Sequence, residues 1–297
     1  MSIEIIIQQA INALSLGSLY ALLALGLAMV YSVLGLMNFA YGELVAMVGY
    51  TIYFSINAGV PYGLAAILGI MVSIIVALLT ELIAFRPLRK ASYAAVLFAT
   101  FAMSVFLQNL IRQAVSPRPR GINVPELIDS VIKIGSFRIS TLSVVTLVIS
   151  LVSMGLLVGF LQKTKSGLAI RAAAANFEIA RLLGVPANRV ISLAFMVSGL
   201  LAGIGGVLWV SRIGGITPAM GFKPVLSSFI AIIIGGLGNL KGAVVGGFVF
   251  GLLEVLLQVV LPPSTRPFID AFVLLIVVVI LAIKPEGLVG KKAESKL

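Results

Sequence analysis

The chain has 297 residues, of which 60% are hydrophobic and only 10% are charged, against roughly 25% charged in an ordinary soluble domain. So few polar side chains exclude a water-soluble globule, and the absence of His and Cys excludes disulfides and any site built on imidazole or thiolate. The 21 basic and 10 acidic residues leave a net charge of +11, whose meaning depends on where these residues lie along the chain.

Nine apolar stretches are candidates for membrane-spanning or re-entrant helices. They cover residues 8–34, 41–57, 62–85, 92–114, 141–162, 190–211, 224–237, 242–261 and 268–283. The second and seventh are short for a full crossing, and each adjoins a break rich in Gly and Asn, which indicates discontinuous helices. We therefore predict an all-α polytopic membrane protein of eight or nine such helices, with one domain over residues 1–290 and a tail at 291–297.

The break after the first stretch carries a motif that recurs. Gly-Leu-x-Asn at residues 35–38 appears again at 236–239, which indicates either an internal duplication or a chance match in a chain with 30 glycines. Asn38 and Asn239 either bond to the broken backbone or present amides to a solute. Glu43 follows the first break and Lys241 the second, so this pair is a candidate inner gate. The alternative for Glu43 is a favourable position at a helix N-terminus.

The first basic residue is Arg86, which opens a cluster at residues 86–90 after the third stretch. Positive charge favours the cytoplasmic side, so this cluster is predicted to be cytoplasmic. Counting crossings from it places the N-terminus outside, the C-terminus inside, the loop 115–140 outside and the loop 163–189 in the cytoplasm. The charge excess thus indicates orientation in a membrane, with lipid as a neighbour, and not a nucleic acid partner.

The fourth stretch carries a polar stripe. Thr100, Ser104 and Gln108 recur every four residues and therefore share one helical face. Glu254 and Gln258 form a similar pair in the eighth stretch. Such groups either line a translocation pathway for a small polar solute or form hydrogen bonds between helices. Three Gly-x-x-x-Gly motifs, at 199–203, 242–246 and 247–251, predict close helix packing.

Two loops are long enough to have a role of their own. The outer loop, 115–140, contains three prolines and then alternates between apolar and polar residues over 132–139, which predicts a small hairpin. The hairpin either meets a soluble partner or covers the ends of the helices. In the inner loop, 163–189, we predict an Ala-rich amphipathic helix over 167–183, with Ser166 as its N-cap and Gly184 at its C-terminal end. That helix either fits the groove of another protein or lies on anionic headgroups.

The residues of this inner helix also carry a resemblance to a known family. Glu178 through Gly184 is similar to the EAA-type coupling loop of ABC importer permeases, with Ile179 in place of the second-position Ala. More specific segments, in order along the chain, resemble the LivH-type branched-chain amino acid permeases. These are residues 17–22, 35–43, 86–89, 171–184, 235–239 with Gly242, and 284–288.

The resemblance implies a type II-like ABC importer permease of the inner membrane and not an enzyme. It implies a second, LivM-like permease subunit, two cytoplasmic ATPases and an extracytoplasmic binding protein as partners. ATP and Mg would be bound by the ATPases, and the chain itself contains no P-loop motif and needs no cofactor. Its coupling residues would be Arg171, Ala174, Glu178, Ala180, Arg181 and Gly184.

The implied cargo is a branched-chain or other amino acid. Permeases for urea, short amides and similar polar solutes belong to related groups, and nothing in the polar stripe distinguishes these solutes. A transporter driven by an ion gradient is the alternative from another class. That alternative would have to use Glu43, Glu81 or Glu254 as its ion site.

Overall fold

The computed structural model describes residues 3–88, 91–126, 130–134 and 137–290, and each predicted apolar stretch forms a helix in it. The long helices are α1 (Ile3–Leu34), α2 (Tyr41–Asn57), α3 (Tyr62–Thr80), α4 (Tyr93–Ala114), α5 (Thr141–Lys163), α8 (Ala187–Ile213), α9 (Phe222–Gly235), α10 (Leu240–Val260) and α11 (Ile269–Ile283). In the described part of the chain, seven helical segments are long and apolar enough to cross a membrane, and α2 and α9 are shorter. The all-α polytopic fold is confirmed. The predicted tail, 291–297, and basic residues 89–90 lie outside the described residues.

Short elements connect these helices. The inner loop contains α6 (Lys165–Ala175) and α7 (Phe177–Leu182), a π-helical turn follows α3 at Glu81–Phe85, and a 3-10 turn at Arg266–Phe268 precedes α11. The strand β1 (Arg120–Gly121) pairs antiparallel with β4 (Gly215–Ile216), and β2 (Val131–Ile134) pairs antiparallel with β3 (Phe137–Ser140). The outer loop therefore contains the expected hairpin and is joined to the segment that follows α8.

The core is built around α1, whose membrane-length part is 94% buried. Glycines let neighbouring helices approach its backbone closely: a Cβ at Gly247 or Gly251 of α10 would overlap the α1 backbone at Ala21 or Gly17. Gly199 and Gly203 pack against α3, and Gly242 and Gly246 pack against α9 in the same way. The sequence predicts close helix packing at these motifs, within the subunit or between subunits, and in the structure all three lie at helix crossings inside the subunit.

We expect Gly251→Leu to destabilise the protein because its side chain would have to separate α10 from the backbone of α1. Overpacking of this kind costs about 1–3 kcal/mol or more. Gly155→Leu in α5 is the matched control, since nothing lies within 4 Å of a Cβ built there. The measurement is the thermal midpoint of the detergent-solubilised protein. An equal midpoint for the two variants would contradict the close α1–α10 contact.

Two half-helices begin inside the bundle. After α1 the chain turns at Gly35, which has φ +66°, and re-enters the bundle before α2 begins. After α8 it turns at Gly214, with φ +67°, and does the same before α9. Because Gly26 of α1 approaches Leu201 of α8 and Leu23 approaches Gly205, the parent helices run antiparallel. The two units are therefore related as an inverted repeat.

The N-termini of the half-helices meet. A Cβ at Gly42 of α2 would overlap the carbonyl of Gly221, directly before α9, and a Cβ at Gly221 would overlap the carbonyl of Gly42. The structural counterpart of the break at Gly35 is thus the break at Gly214, and not Gly236 as the repeated motif suggested. Gly236 belongs to the tight turn that joins α9 to α10.

Candidate functional site

The first candidate site is a buried carboxylate at the N-terminus of α2. Glu43 is 1% exposed, and its Oε1 accepts hydrogen bonds from Ser104 Oγ at 2.9 Å and from Gln108 Nε2 at 2.8 Å. Its Oε2 is buried and has no hydrogen-bond partner among the described residues. The helix dipole of α2 favours negative charge at this position. The site therefore joins a half-helix to α4 through a buried carboxyl group, one oxygen of which has no hydrogen-bond partner among the described residues.

The polar stripe of α4 faces this site. Thr100 accepts a hydrogen bond from the Phe39 backbone N–H at 3.4 Å and donates one to Leu97 O at 2.9 Å. The structure thus brings all three stripe residues to the break and to Glu43. Ser104 and Gln108 are only half-buried, so their outer edges remain open to whatever lies beside α4.

The two break asparagines have backbone partners. Asn38 is buried and accepts a hydrogen bond from Ala40 N at 3.1 Å. Asn239 caps α10 by accepting from Lys241 N at 3.0 Å, and it donates to Val289 O at 3.0 Å. Of the two alternatives for these amides, the structure shows the bonds to broken backbone. Within the described ranges, Lys241 and Glu43 form no ion pair.

The second candidate site is an ionic network that begins at the N-terminus of α9. Glu254, 5% exposed, accepts a hydrogen bond from Tyr20 OH at 2.7 Å and pairs with Lys223 Nζ at 3.1 Å. Lys223 also pairs with Asp270 at 3.2 Å. The network connects α1, α9, α10 and α11. The spacing of Glu254 and Gln258 singles out Glu254 in the sequence but not its partners, because these lie on helices far apart in the chain.

The third candidate site is the inner loop, where the predicted single helix is wrong. Asn176 has an extended backbone, and its side chain accepts a hydrogen bond from Ile179 N at 3.0 Å, so it ends α6 and caps α7. Asn competes with helix hydrogen bonds in this way and favours caps. The N-cap of α6 is Thr164, which accepts from Gly167 N at 2.9 Å, and not Ser166. Gly184 has φ +88°, consistent with the predicted C-terminal glycine.

Most of the predicted coupling residues lie on the surface of this loop. Five are exposed, namely Arg171, Ala174, Glu178, Arg181 and Gly184. Ala180 is only 4% exposed and packs into the chain near Ala173 and Val190. The same loop exposes three apolar side chains that are not among the predicted coupling residues, Ile179 at 54%, Leu182 at 82% and Leu183 at 79%. We call Ile179, Leu182 and Leu183 the α7 patch.

A cavity of about 370 Å³ between α3, α5 and α8 has a different character. Its lining includes Leu156, Phe160 and Met196 and is apolar apart from Ser153. A polar solute would lose its hydrogen bonds to water there without replacement. This surface suits hydrocarbon and gives no route for such a solute.

Comparison with known proteins identifies the family. The family model described as the branched-chain amino acid transport system permease component matches residues 9–283. LivH of Escherichia coli K12, a high-affinity branched-chain amino acid transport system permease protein, is 33% identical over 98% of this chain and 97% of its own length. BraD of Pseudomonas aeruginosa, named for the same type of system, is 30% identical over 98% of each chain.

A more distant relative extends this comparison. A probable branched-chain amino acid transport permease protein LivH from Methanocaldococcus jannaschii is 30% identical over 94% of this chain and 91% of its own length. No solved structure matches the chain. The match of both the family model and the relatives covers all nine long helices. The chain therefore belongs to the branched-chain amino acid ABC permease family, whose members are the non-catalytic membrane subunits of ATP-driven importers.

Proposed function

We propose that this chain is one of two permease subunits in an importer that carries branched-chain or related amino acids across the cytoplasmic membrane. The observation that supports this cargo is the coverage of its relatives. Permeases named for branched-chain amino acids match 94–98% of the chain. A xylose permease matches only 31% of it and an autoinducer 2 permease 40%. Urea or a short amide is the alternative cargo.

Family membership gives the chain two kinds of partner, ATPases and a binding protein. The ATPases bind ATP, and the permease family carries no cofactor of its own. We further propose that the second permease is a LivM-like chain, so that the membrane part is a heterodimer. ATP-driven work must then reach α1–α11 as movement transmitted through a contact with the ATPases.

The α7 patch supports a proposal for that contact. Ile179, Leu182 and Leu183 expose an apolar surface at the tip of the inner loop, and Glu178 and Arg181 lie beside it as exposed charges. An apolar centre with a charged rim is the usual composition of a protein interface. We propose that α6 and α7 dock on an ATPase through this patch, with Arg171, Ala174 and Gly184 at its edge.

The contacts between helices support a proposal for orientation. Because α8 runs antiparallel to α1, the inner loop before α8 lies at the end where α1 stops, near Leu34. The C-terminal segment lies at that end too, since Leu288 N donates to Ile234 O at 2.7 Å. Most basic residues flank this end by the crossing count. We propose that it is cytoplasmic, which places the N-terminus and the hairpin outside.

For the pathway we propose the polar surface between α2 and α4. Glu43, Ser104 and Gln108 form hydrogen bonds there, and α4 otherwise exposes most of its length, including Asn109 and Arg112. Polar side chains on an exposed helix face are costly against lipid, so this face is expected to meet water or a second subunit. Thr100, Asn38, Asn239, Lys241 and Glu254 complete the candidate set.

A substitution set separates this pathway role from a structural one. Ser104→Ala with Gln108→Leu leaves the Glu43 carboxylate buried without donors, which we expect to cost about 3–5 kcal/mol of stability. Adding Glu43→Leu removes the unpaired charge and should restore the thermal midpoint. Transport should stay lost in the triple variant. Recovery of transport together with stability would show that the three residues only hold the helices together.

The cargo is tested with the complete importer in proteoliposomes, supplied with ATP and the cognate binding protein. We expect uptake of radiolabelled leucine that unlabelled isoleucine and valine reduce and that urea and xylose leave unchanged. Uptake of urea with no uptake of leucine would favour the alternative cargo. A preparation with ATPases that cannot hydrolyse ATP is the control for leakage.

A further inference from the structure

The network around Glu254 opens into a small polar cleft. The cleft has a volume of about 240 Å³ and lies between α10, the 3-10 turn and the start of α11. Its polar lining consists of Lys223, Glu254, Gln258, Arg266 and Asp270. Drug-sized ligands occupy cavities of roughly 300–1,000 Å³, so this cleft suits one smaller solute.

One side of the cleft is held rigidly. Glu254 is buried and bonded to both Tyr20 and Lys223, and the Tyr20 ring packs edge-on against Phe250 with centroids 4.9 Å apart. Lys223 in turn fixes Asp270 through one of its carboxylate oxygens at 3.2 Å. Asp270 is itself exposed, with 62% of its side chain accessible, so its carboxylate is oriented by Lys223 and still has a face open to a ligand.

The other side of the cleft carries unsatisfied groups. In the part of the chain that the structure describes, the guanidinium of Arg266 forms no ion pair and no hydrogen bond, although Asp270 lies four residues further on and lines the same cleft. The Gln258 amide has no hydrogen-bond partner there either. The cleft thus presents an unpaired guanidinium on one side and, on the other, an exposed carboxylate that contacts Lys223 through one oxygen.

These groups complement a solute that carries both charges. We propose that the cleft binds the zwitterionic part of an amino acid, with its carboxylate on Arg266 and its ammonium group on Asp270. Arg is suited to planar, bidentate recognition of a carboxylate. The inference rests on the proposed cargo class and adds a recognition site within the permease, at the end opposite the inner loop. A solute with only one of the two charges makes only one of the two contacts, with Arg266 or with Asp270.

The test uses the permease pair with its ATPases in nanodiscs, without the binding protein, and radiolabelled leucine as the probe. We expect saturable binding in the millimolar range or tighter. Valine should displace the probe, whereas isovalerate, which lacks the amine, and isoamylamine, which lacks the carboxylate, should not. Arg266→Gln and Asp270→Asn should each weaken binding about tenfold or more.

Arg118→Gln is the matched control, because Arg118 is an exposed arginine outside the cleft. Size-exclusion profiles verify that each variant assembles. We expect Arg266→Gln to assemble normally because the Arg266 side chain is exposed and unpaired. Absence of saturable binding, or equal displacement by isovalerate, would overturn the inference. If either result is obtained but the complete importer with its binding protein still takes up leucine, the binding site in the cleft is ruled out and the proposed cargo stands. If no amino acid is transported, the proposed cargo fails instead.

Discussion

Leu182→Glu is expected to abolish ATP-driven uptake and to release the ATPases from the complex, while the permease stays inserted and folded. Leu182 is 82% exposed, so the permease loses no internal packing when it is replaced. In the proposed interface the leucine contributes about 1.5–3 kcal/mol of apolar burial, and a carboxylate at the same place adds a desolvation cost. An affinity loss of about a hundredfold or more follows. Co-purification of the ATPases with the tagged permease measures it.

Two further variants isolate the interface from local structure. Leu182→Met keeps the apolar surface and should keep both uptake and ATPase association. Gly184→Arg should behave like Leu182→Glu, whereas Gly184→Ala adds only backbone strain of about 1–2 kcal/mol at φ +88°, since a Cβ there has nothing within 4 Å. ATPase association that survives both Leu182→Glu and Gly184→Arg would rule out the α7 patch as the docking surface.

Gly221→Val is expected to prevent stable folding. The new Cβ would overlap the backbone carbonyl of Gly42, and both partners are main chain at the start of a half-helix, so neither can move aside as a flexible side chain would. The N-termini of α2 and α9 would have to separate and expose buried backbone groups inside the bundle, where water cannot satisfy them. Fluorescence-detected size exclusion should show loss of the monodisperse peak, and uptake should be lost with it.

The matched control for this variant is Gly159→Val in α5, where a Cβ meets nothing within 4 Å. Gly159→Val should keep the monodisperse peak, because it adds only a surface side chain to a helix. Gly42→Val should reproduce the defect of Gly221→Val from the opposite half-helix. Wild-type stability in both Gly42→Val and Gly221→Val would contradict the contact between the half-helices.

The helices were predictable because their apolar lengths and their flanking glycines are local features of the sequence. The structural counterpart of the break at Gly35 could not be predicted from such local features. Gly35 is followed by a Leu-x-Asn pattern that recurs after Gly236, whereas Gly214, its structural counterpart, is followed by unrelated residues. The repeat is defined by the direction of helix packing and by two glycines with positive φ, and neither property requires similar side chains.

The candidate sites could be predicted only in part, because residue spacing shows which side chains share a helix face but not which other helix they contact. A spacing of four residues placed Ser104 and Gln108 on one face, but the carboxylate they bind belongs to another helix. The ion pairs of Lys223 likewise depend on tertiary packing, since Glu254 and Asp270 lie 31 and 47 residues away. In the inner loop the Ala-rich pattern continues past Asn176, so only the observed cap on Ile179 reveals the break between α6 and α7.

The central claim is that the inner loop is cytoplasmic and contacts an ATPase through the α7 patch. It is tested most directly by Leu182→Cys, which introduces the sole cysteine of this subunit because the natural chain has none. We predict that, in permease expressed without its ATPases, a membrane-impermeant maleimide reacts with this cysteine only after the cells are opened. When a maleimide–benzophenone reagent is attached to the same residue and the ATPases are added back, it should crosslink the permease to an ATPase. Labelling in intact cells, or crosslinks that never include an ATPase, would contradict the claim.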